Sequence, residues 1–282
     1  MSHTYASVPL FRDYLRDGGS AGTATTNDTL HLNLLESASR AVDRYVDRSR
    51  FGSGFGPRTG TNRYDIWEYT NALRLEDDLL SVTTLTLLDA TAGASLGTPV
   101  VDTDYYLRGR TGYDAPYRDI VLHGAGTITS LGIGYRVASV EGSFGFQDVR
   151  VSQGTMGTVS ASVTSATLTG GVAYAGQTLL NGSEQMYVTA STGGTALTIT
   201  RGANGTTAAL HAASSSIGVY QYPPEVVEAT LEIAQRRWKA RDAGVDATYG
   251  GGPIAVQSPT AAGAELSILS RKLSHLKVYH VG

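Results

Sequence analysis

Apolar positions keep a helical period near both ends of this chain and a strand-like period in between. Residues 7–17 read as a short helix that Ser7 caps, with Pro9 in its first turn and Gly18 closing it. A Gly/Ser/Thr-rich stretch, Gly18 to Thr26, is expected to be a loop. From Asn27 or Asp28 a clearer helix begins. Leu30, Leu34, Ala38, Ala41, Val42 and Tyr45 recur at helical spacing and predict one apolar stripe. Glu36, Arg40, Asp43, Arg44 and Asp47 fall largely off it, and the pattern ends by about Arg50, before the glycine-rich turn Gly52–Gly56. The period then changes. Thr61–Tyr69, Leu73–Leu75, Ser81–Leu88, Asp104–Arg108, Ile120–Leu122 and Val137–Phe146 are short, rich in β-branched or aromatic residues, and separated by turns. They predict an irregular antiparallel sheet system, with Asp77–Leu80 a turn that feeds the strand after it.

Residues 155–215 stand apart in composition. Glu184 and Arg201 are their only two charges; the rest is Thr, Ser, Ala, Gly and alternating apolar residues. Val159–Val163, Ala166–Leu168, Thr178–Leu180, Gln185–Val188 and Ala196–Thr200 are expected strands of a small barrel or sandwich, with Asn204–Gly205 as a turn pair. Helical pattern resumes straight afterwards, so this stretch reads as an inserted β module whose two ends lie close together.

Pro223-Pro224 opens the next helix. Glu225 and Glu228 suit its positive end, while Arg236, Arg237, Lys239 and Arg241 suit its other end. Val227, Thr230, Leu231, Ala234 and Trp238 are its expected buried face, and Gly244 its stop. A linker, Gly250 to Gly263, leads to Leu266, Leu269, Leu273 and Leu276, three and four apart. That amphipathic segment has little neighbouring chain to cover it, so a partner is expected there. The fold class that follows is α+β: a small helical bundle packed on an irregular antiparallel β region, with an inserted all-β barrel or sandwich module. The expected division is 1–154 with 216–249 as core, 155–215 as the inserted module, and 250–282 as linker and docking tail.

Composition narrows the function. Charged residues are 17% of the 282, against roughly a quarter in ordinary domains, and 34 glycines fill the deficit. The net charge of −3 gives no positive field for DNA or an anionic membrane. There are no cysteines, which excludes disulfides and thiolate metal sites. No signal-peptide core precedes Leu15 and no run reaches the ~18 apolar residues of a membrane span, so a soluble, non-exported chain without membrane contact is expected.

The search for chemistry yields no catalytic, cofactor-binding or metal constellation. His3, His31, His123, His211, His275 and His280 make no helical i, i+4 pair beside a carboxylate. Asp77-Asp78 and Asp102–Asp104 read as turn aspartates rather than paired acids or a calcium loop. Gly52–Gly56 and Gly132–Gly134 lack the strand and helix that a phosphate cradle needs. The basic end of the last long helix is explained by the helix dipole. Sixteen tyrosines, among them Tyr64, Tyr69, Tyr105, Tyr106, Tyr113 and Tyr117 of the β region, suit protein interfaces, where a large ring is buried and a polar tip kept, with about half of them as readily core residues.

The order of elements resembles the bacteriophage head–tail connector (adaptor) family. The residues that carry the resemblance are Leu34 to Tyr45 with Arg50-Phe51, then Leu73-Arg74-Leu75 followed by Asp78 to Leu85. Asp104-Tyr105-Tyr106-Leu107, Pro116-Tyr117-Arg118, and Pro223 to Ala229 with Trp238 and Arg241 to Gly244 complete it. The resemblance covers roughly 7–150 and 220–245. Within the insert, Gly182 to Val188, Leu197 to Ala208 and His211 look like a small β module of phage structural proteins. The resemblance implies a non-enzymatic structural protein of the virion neck, assembled in the host cytoplasm. It implies a ring of identical subunits, usually twelve, between the portal protein and a stopper or tail-completion protein, with DNA passing through the lumen without specific binding. It implies no cofactor. Portal docking would fall on the C-terminal end, at Leu266, Leu269, Leu273, Leu276 and Tyr279. The alternative is a carbohydrate- or receptor-binding tail module centred on 155–215.

Overall fold

The computed structural model describes residues 3–15, 26–46, 54–67, 70–88, 95–109, 112, 114–126, 128, 131–242 and 261–277. The chain divides into two compact units, 1–47 with 149–279 and 48–148 with 280–282. The class is α+β, with antiparallel strands throughout the named pairs and one closed barrel.

The first unit holds four helices, α1 (Val8–Leu15), α2 (Asp28–Tyr45), α3 (Pro224–Asp242) and α4 (Ala261–Leu273), and a barrel. Six strands close the barrel: β7 (Arg150–Met156), β8 (Ser165–Thr169), β9 (Thr178–Asn181), β10 (Glu184–Thr192), β11 (Ala196–Thr200) and β12 (Ser215–Tyr220). Their order around it is β10-β11-β8-β7-β12-β9. Strands β8 and β11 alternate strictly, Ser165, Thr167, Thr169, Ala196, Thr198 and Thr200 outward and Ala166, Leu168, Leu197 and Ile199 inward, as a half-buried strand requires. Met156, Leu179, Met186, Val188 and Ile217 complete the filling, each worth about 1.5–3 kcal/mol of burial.

The barrel is wider in sequence than the compositional module 155–215. It begins at β7 and ends at β12, whose outward faces carry charge or little apolar signal. The expected strand Val159–Val163 is instead a single bridge from Val159 to His211 followed by a turn. Both ends of the barrel lie at one seam, since Arg150 pairs with Tyr220 and the Gln221 amide donates to the Val149 carbonyl at 2.9 Å. The helices belong with the barrel in this unit. The Thr4 hydroxyl donates to the Gly176 carbonyl at 2.6 Å, the Val8 amide to the Ala175 carbonyl at 2.9 Å, and the Tyr187 hydroxyl to Glu36 at 2.8 Å.

Helix α2 is rotated from its expected stripe. His31, Leu32, Leu35, Ala38, Ser39, Val42 and Asp43 are buried, whereas Leu30, Leu34, Ala41 and Tyr45 are half-buried. Three polar residues sit on the inner face because each has company there. Ser39 accepts from the Tyr5 amide at 3.1 Å and donates to the Leu35 carbonyl at 2.8 Å. The His31 ring lies edge-on between Phe11 and Trp238, and Asp43 meets His3 and Arg40.

The second unit is a six-stranded antiparallel sheet. It contains β1 (Arg58–Ile66), β2 (Ala72–Leu88), β3 (Ser95–Gly97), β4 (Tyr105–Gly109), β5 (Tyr117–Leu122) and β6 (Gly134–Phe144), ordered β1-β6-β2-β5-β4 with β3 on β2. Leu79, Leu85, Ile120, Ala138, Val140 and Phe144 lie at its centre. The expected turn at Asp77–Leu80 is absent; β2 runs through it as one strand of 17 residues. Its first part pairs with β5 and its second with β6, and the irregularity between these registers turns Asp77 and Asp78 inward. There Asp77 accepts from Asn62 at 2.7 Å, and Asp78 takes the Arg118 guanidinium at 2.5 Å. Gly142 fits against this strand because a Cβ would lie 2.1 Å from the Ser81 carbonyl oxygen.

Candidate assembly interface

The expected docking residues divide sharply. Leu269, Leu273 and Leu276 are buried within the chain's own helical bundle, together with Ile268. Leu266 is 56% exposed. Tyr279 lies outside the described residues. The expectation of an uncovered stripe is therefore corrected: α4 packs on α3 and, less extensively, on α2.

Charge holds that packing in register. Arg237 of α3 makes a two-pronged pair with Glu265 of α4, 2.7 Å on each branch, and also donates to Ser37 of α2 at 2.6 Å. Lys272 reaches Glu228 at 2.5 Å, Arg271 reaches Glu232 at 3.2 Å, and His275 lies 3.7 Å from Glu225. The sequence order of these pairs is reversed between the helices, so α3 and α4 run antiparallel, with Glu225, Glu228 and Glu232 of α3 facing the basic end of α4 and Arg237 facing its Glu265. The rim pairs are solvated and worth only about 0.2–1 kcal/mol each, so the buried leucines hold the helix and the charges set its register. The basic cluster of α3 is thus more than a dipole effect: Arg237 is a bundle contact, and Arg241 lies 4.7 Å over the Trp238 ring.

Exposed apolar groups are the second feature. In the sheet unit, Trp67 is 63% exposed and Tyr135 74%, and the two rings meet edge to face at 4.8 Å. Such a pair in water keeps its large ring area available for contact. In the barrel unit Leu210 stands out at 70%. Tyr64, Tyr105 and Tyr187 are core tyrosines; all three are buried, and burial pushes their phenols up.

The most polar cluster of the molecule is inside the barrel wall. Glu184, fully buried, receives Arg201 through two 2.7 Å bonds, the Gly202 and Ala209 amides at 3.0 Å each, and His211 Nε2 at 2.7 Å. Burial alone would raise its pKa; the Arg201 bonds, the two amides and His211 outweigh it and hold the carboxylate down at about 2. Arg201 extends to the Ser160, Val163 and Ala209 carbonyls, so one ion pair gathers the β7–β8 and β11–β12 connections. Both carboxylate oxygens are occupied by donors within the chain. A second cluster ties the N-terminal segment: His3 Nε2 lies 3.3 Å from Asp43, whose carboxylate also takes Arg40 at 3.2 Å and the Tyr5 hydroxyl. Burial lowers the His3 pKa despite that neighbour, and Asp43 stays low because His3, Arg40 and Tyr5 outweigh its own desolvation.

Among the described residues no group of three or more His, Cys, Asp or Glu gathers to hold a metal ion, and no helix is long and apolar enough to cross a membrane. No family model matches the chain, and no curated protein matches it. A solved structure to which it is similar is the neck of an empty GTA particle computed with C6 symmetry. The likeness has a TM-score of 0.33 and 22% identity, covering 50% of this chain and 66% of that one.

Proposed function

We propose that the protein is a head–tail adaptor of a phage-like particle, a structural subunit that forms a ring between portal and tail-side proteins and carries no catalytic role. The observation that carries this reading is the placement of the connector-like segments. Leu34–Tyr45 forms most of α2, Leu73–Leu75 and Asp78–Leu85 lie in the one long strand β2, and Tyr105–Leu107 opens β4. Tyr117 opens β5, and Pro223-Pro224 leads into α3. Each segment thus sits at an element that frames one of the two units, and the succession of helix, sheet and closing helix is the one the family order requires. The buried polar clusters support a structural role, because their charges are consumed by partners within the chain.

Portal contact falls on what α4 leaves outward, Leu266 first, rather than on Leu269, Leu273 and Leu276. The glycan-binding alternative would rest on Tyr174, half-buried in the 155–215 stretch, because Tyr187 is buried. Native mass measurement of the purified chain, alone and with its portal, tests the proposal. A closed ring in either sample is expected; persistent monomer in both overturns it.

A further inference from the structure

Helix α4 meets the rest of the molecule through a self-contained set of contacts, and its connection is longer than those contacts need. The Arg237–Glu265 pair places the end of α3 and the start of α4 at the same end of the antiparallel pair. Such neighbours are joined by about 2–8 residues in helical bundles. Here residues 243–260, about 18 in number, intervene. They include Gly250, Gly251 and Gly252.

Resting on the ring reading, we infer that in the assembled particle α4 of each subunit lies on α3 of a neighbouring copy of the same chain. The groove is the one described, formed by α3 with Ser37 of α2 beside it. The occupant is fixed by complementarity, because Glu265, Arg271, Lys272 and His275 match Arg237, Glu232, Glu228 and Glu225 in reversed order. Any copy's α4 presents that same match. Docking within or between chains makes the same bonds, so the balance rests on effective concentration. In a dilute monomer the chain's own α3 is nearest. In a ring the neighbour's α3 competes at comparable concentration, and exchange then links each subunit to the next.

Two variants, R237E and E265R, test this. Each alone sets like charges against each other at the α3–α4 seam. Mixed, the α4 of the E265R chain restores an opposite-charge pair on α3 of the R237E chain, and only between different chains. Native mass spectrometry with one chain isotope-labelled is expected to show mixed assemblies about tenfold more abundant than assemblies of either variant alone. The absence of native cysteine allows a second measurement that does not depend on those charges. E228C and K272C, placed on separate chains and treated with a thiol-specific bifunctional crosslinker, should give a product of twice the chain mass in the assembled state. If rings form but the crosslink arises only when both cysteines share one chain, exchange is overturned and the ring stands. If portal binding abolishes both crosslinks, α4 has gone to the portal and exchange is likewise overturned. A chain that never assembles removes both readings.

Discussion

Glu184 and Arg201, 17 residues apart in sequence and the only two charges of 155–215, meet in a two-pronged ion pair of 2.7 Å per branch inside the barrel wall. A module with so few charges has set its only two against each other. Fully desolvated, such a pair costs more to break than it contributes as a net attraction.

Replacing Glu184 with Ala is therefore expected to cost about 3–5 kcal/mol, because Arg201 keeps its charge in a buried site. R201K retains the charge but loses the fork, and a smaller loss is expected. Denaturant midpoints followed by circular dichroism measure both. Equal midpoints for E184A and the parent chain would remove the pair from the list of what holds the barrel.

Acid acts on the same carboxylate. Its pKa falls from the ordinary 4.5 to about 2 in the folded chain, so the unfolded state binds the proton first as pH drops. The stabilisation is present above about pH 4.5 and disappears as pH falls towards 2. The shift corresponds to at most about 3 kcal/mol. Thermal melts between pH 5 and 2 should show a steeper loss for the parent than for E184Q, in which this group no longer titrates.

Gly154 has φ +74°, and a Cβ there would lie 2.2 Å from the Thr169 carbonyl oxygen, across the seam of β7 and β8. G154A combines a left-handed backbone with a clash against a rigid neighbour. A loss of about 2 kcal/mol or more is expected. A melting temperature unchanged from the parent's would show that the strand shifts without cost.

Leu273 anchors α4, fully buried at its C-terminal turn. L273A should release α4 before anything else, since a core truncation of this kind costs about 2–5 kcal/mol. Hydrogen exchange is the measurement: amides of α4 exchange faster, while those of β6 and β10 stay protected. Uniform acceleration throughout would mean that α4 is integral to the cooperative fold rather than a docked element.

Trp67 gives the opposite test. At 63% exposure its side chain contributes little within the monomer, so W67A should leave stability within about 1 kcal/mol while lowering the yield of assembled species. Unchanged assembly would remove the Trp67–Tyr135 pair from any interface.

Much of the architecture was legible in the chain. Alternation in β8 and β11 and the Pro224 start of α3 are local signals, and local signals survive folding. The face of α2 was not legible. His31, Ser39 and Asp43 interrupt its hydrophobic pattern, and each is buried against a residue distant in sequence: Trp238, Tyr5 and His3 respectively. The bend of β2 was hidden for the same reason. Asp77-Asp78 looks like a turn until Asn62 and Arg118 are brought beside it. The cover over α4 is also non-local, because its partners lie 28 to 50 residues upstream in α3 and far earlier in α2.

The barrel begins and ends on the paired strands β7 and β12, with Val149 and Gln221 side by side. Tension applied between those two points would load the seam one hydrogen bond at a time, as in opening a zip, instead of shearing all its bonds together. Mechanical strength at that seam is therefore low, whatever the thermal stability of the barrel. A single-molecule pull from residues 149 and 221 should open it at low force, and a high-force rupture would show that another strand pair bears the load.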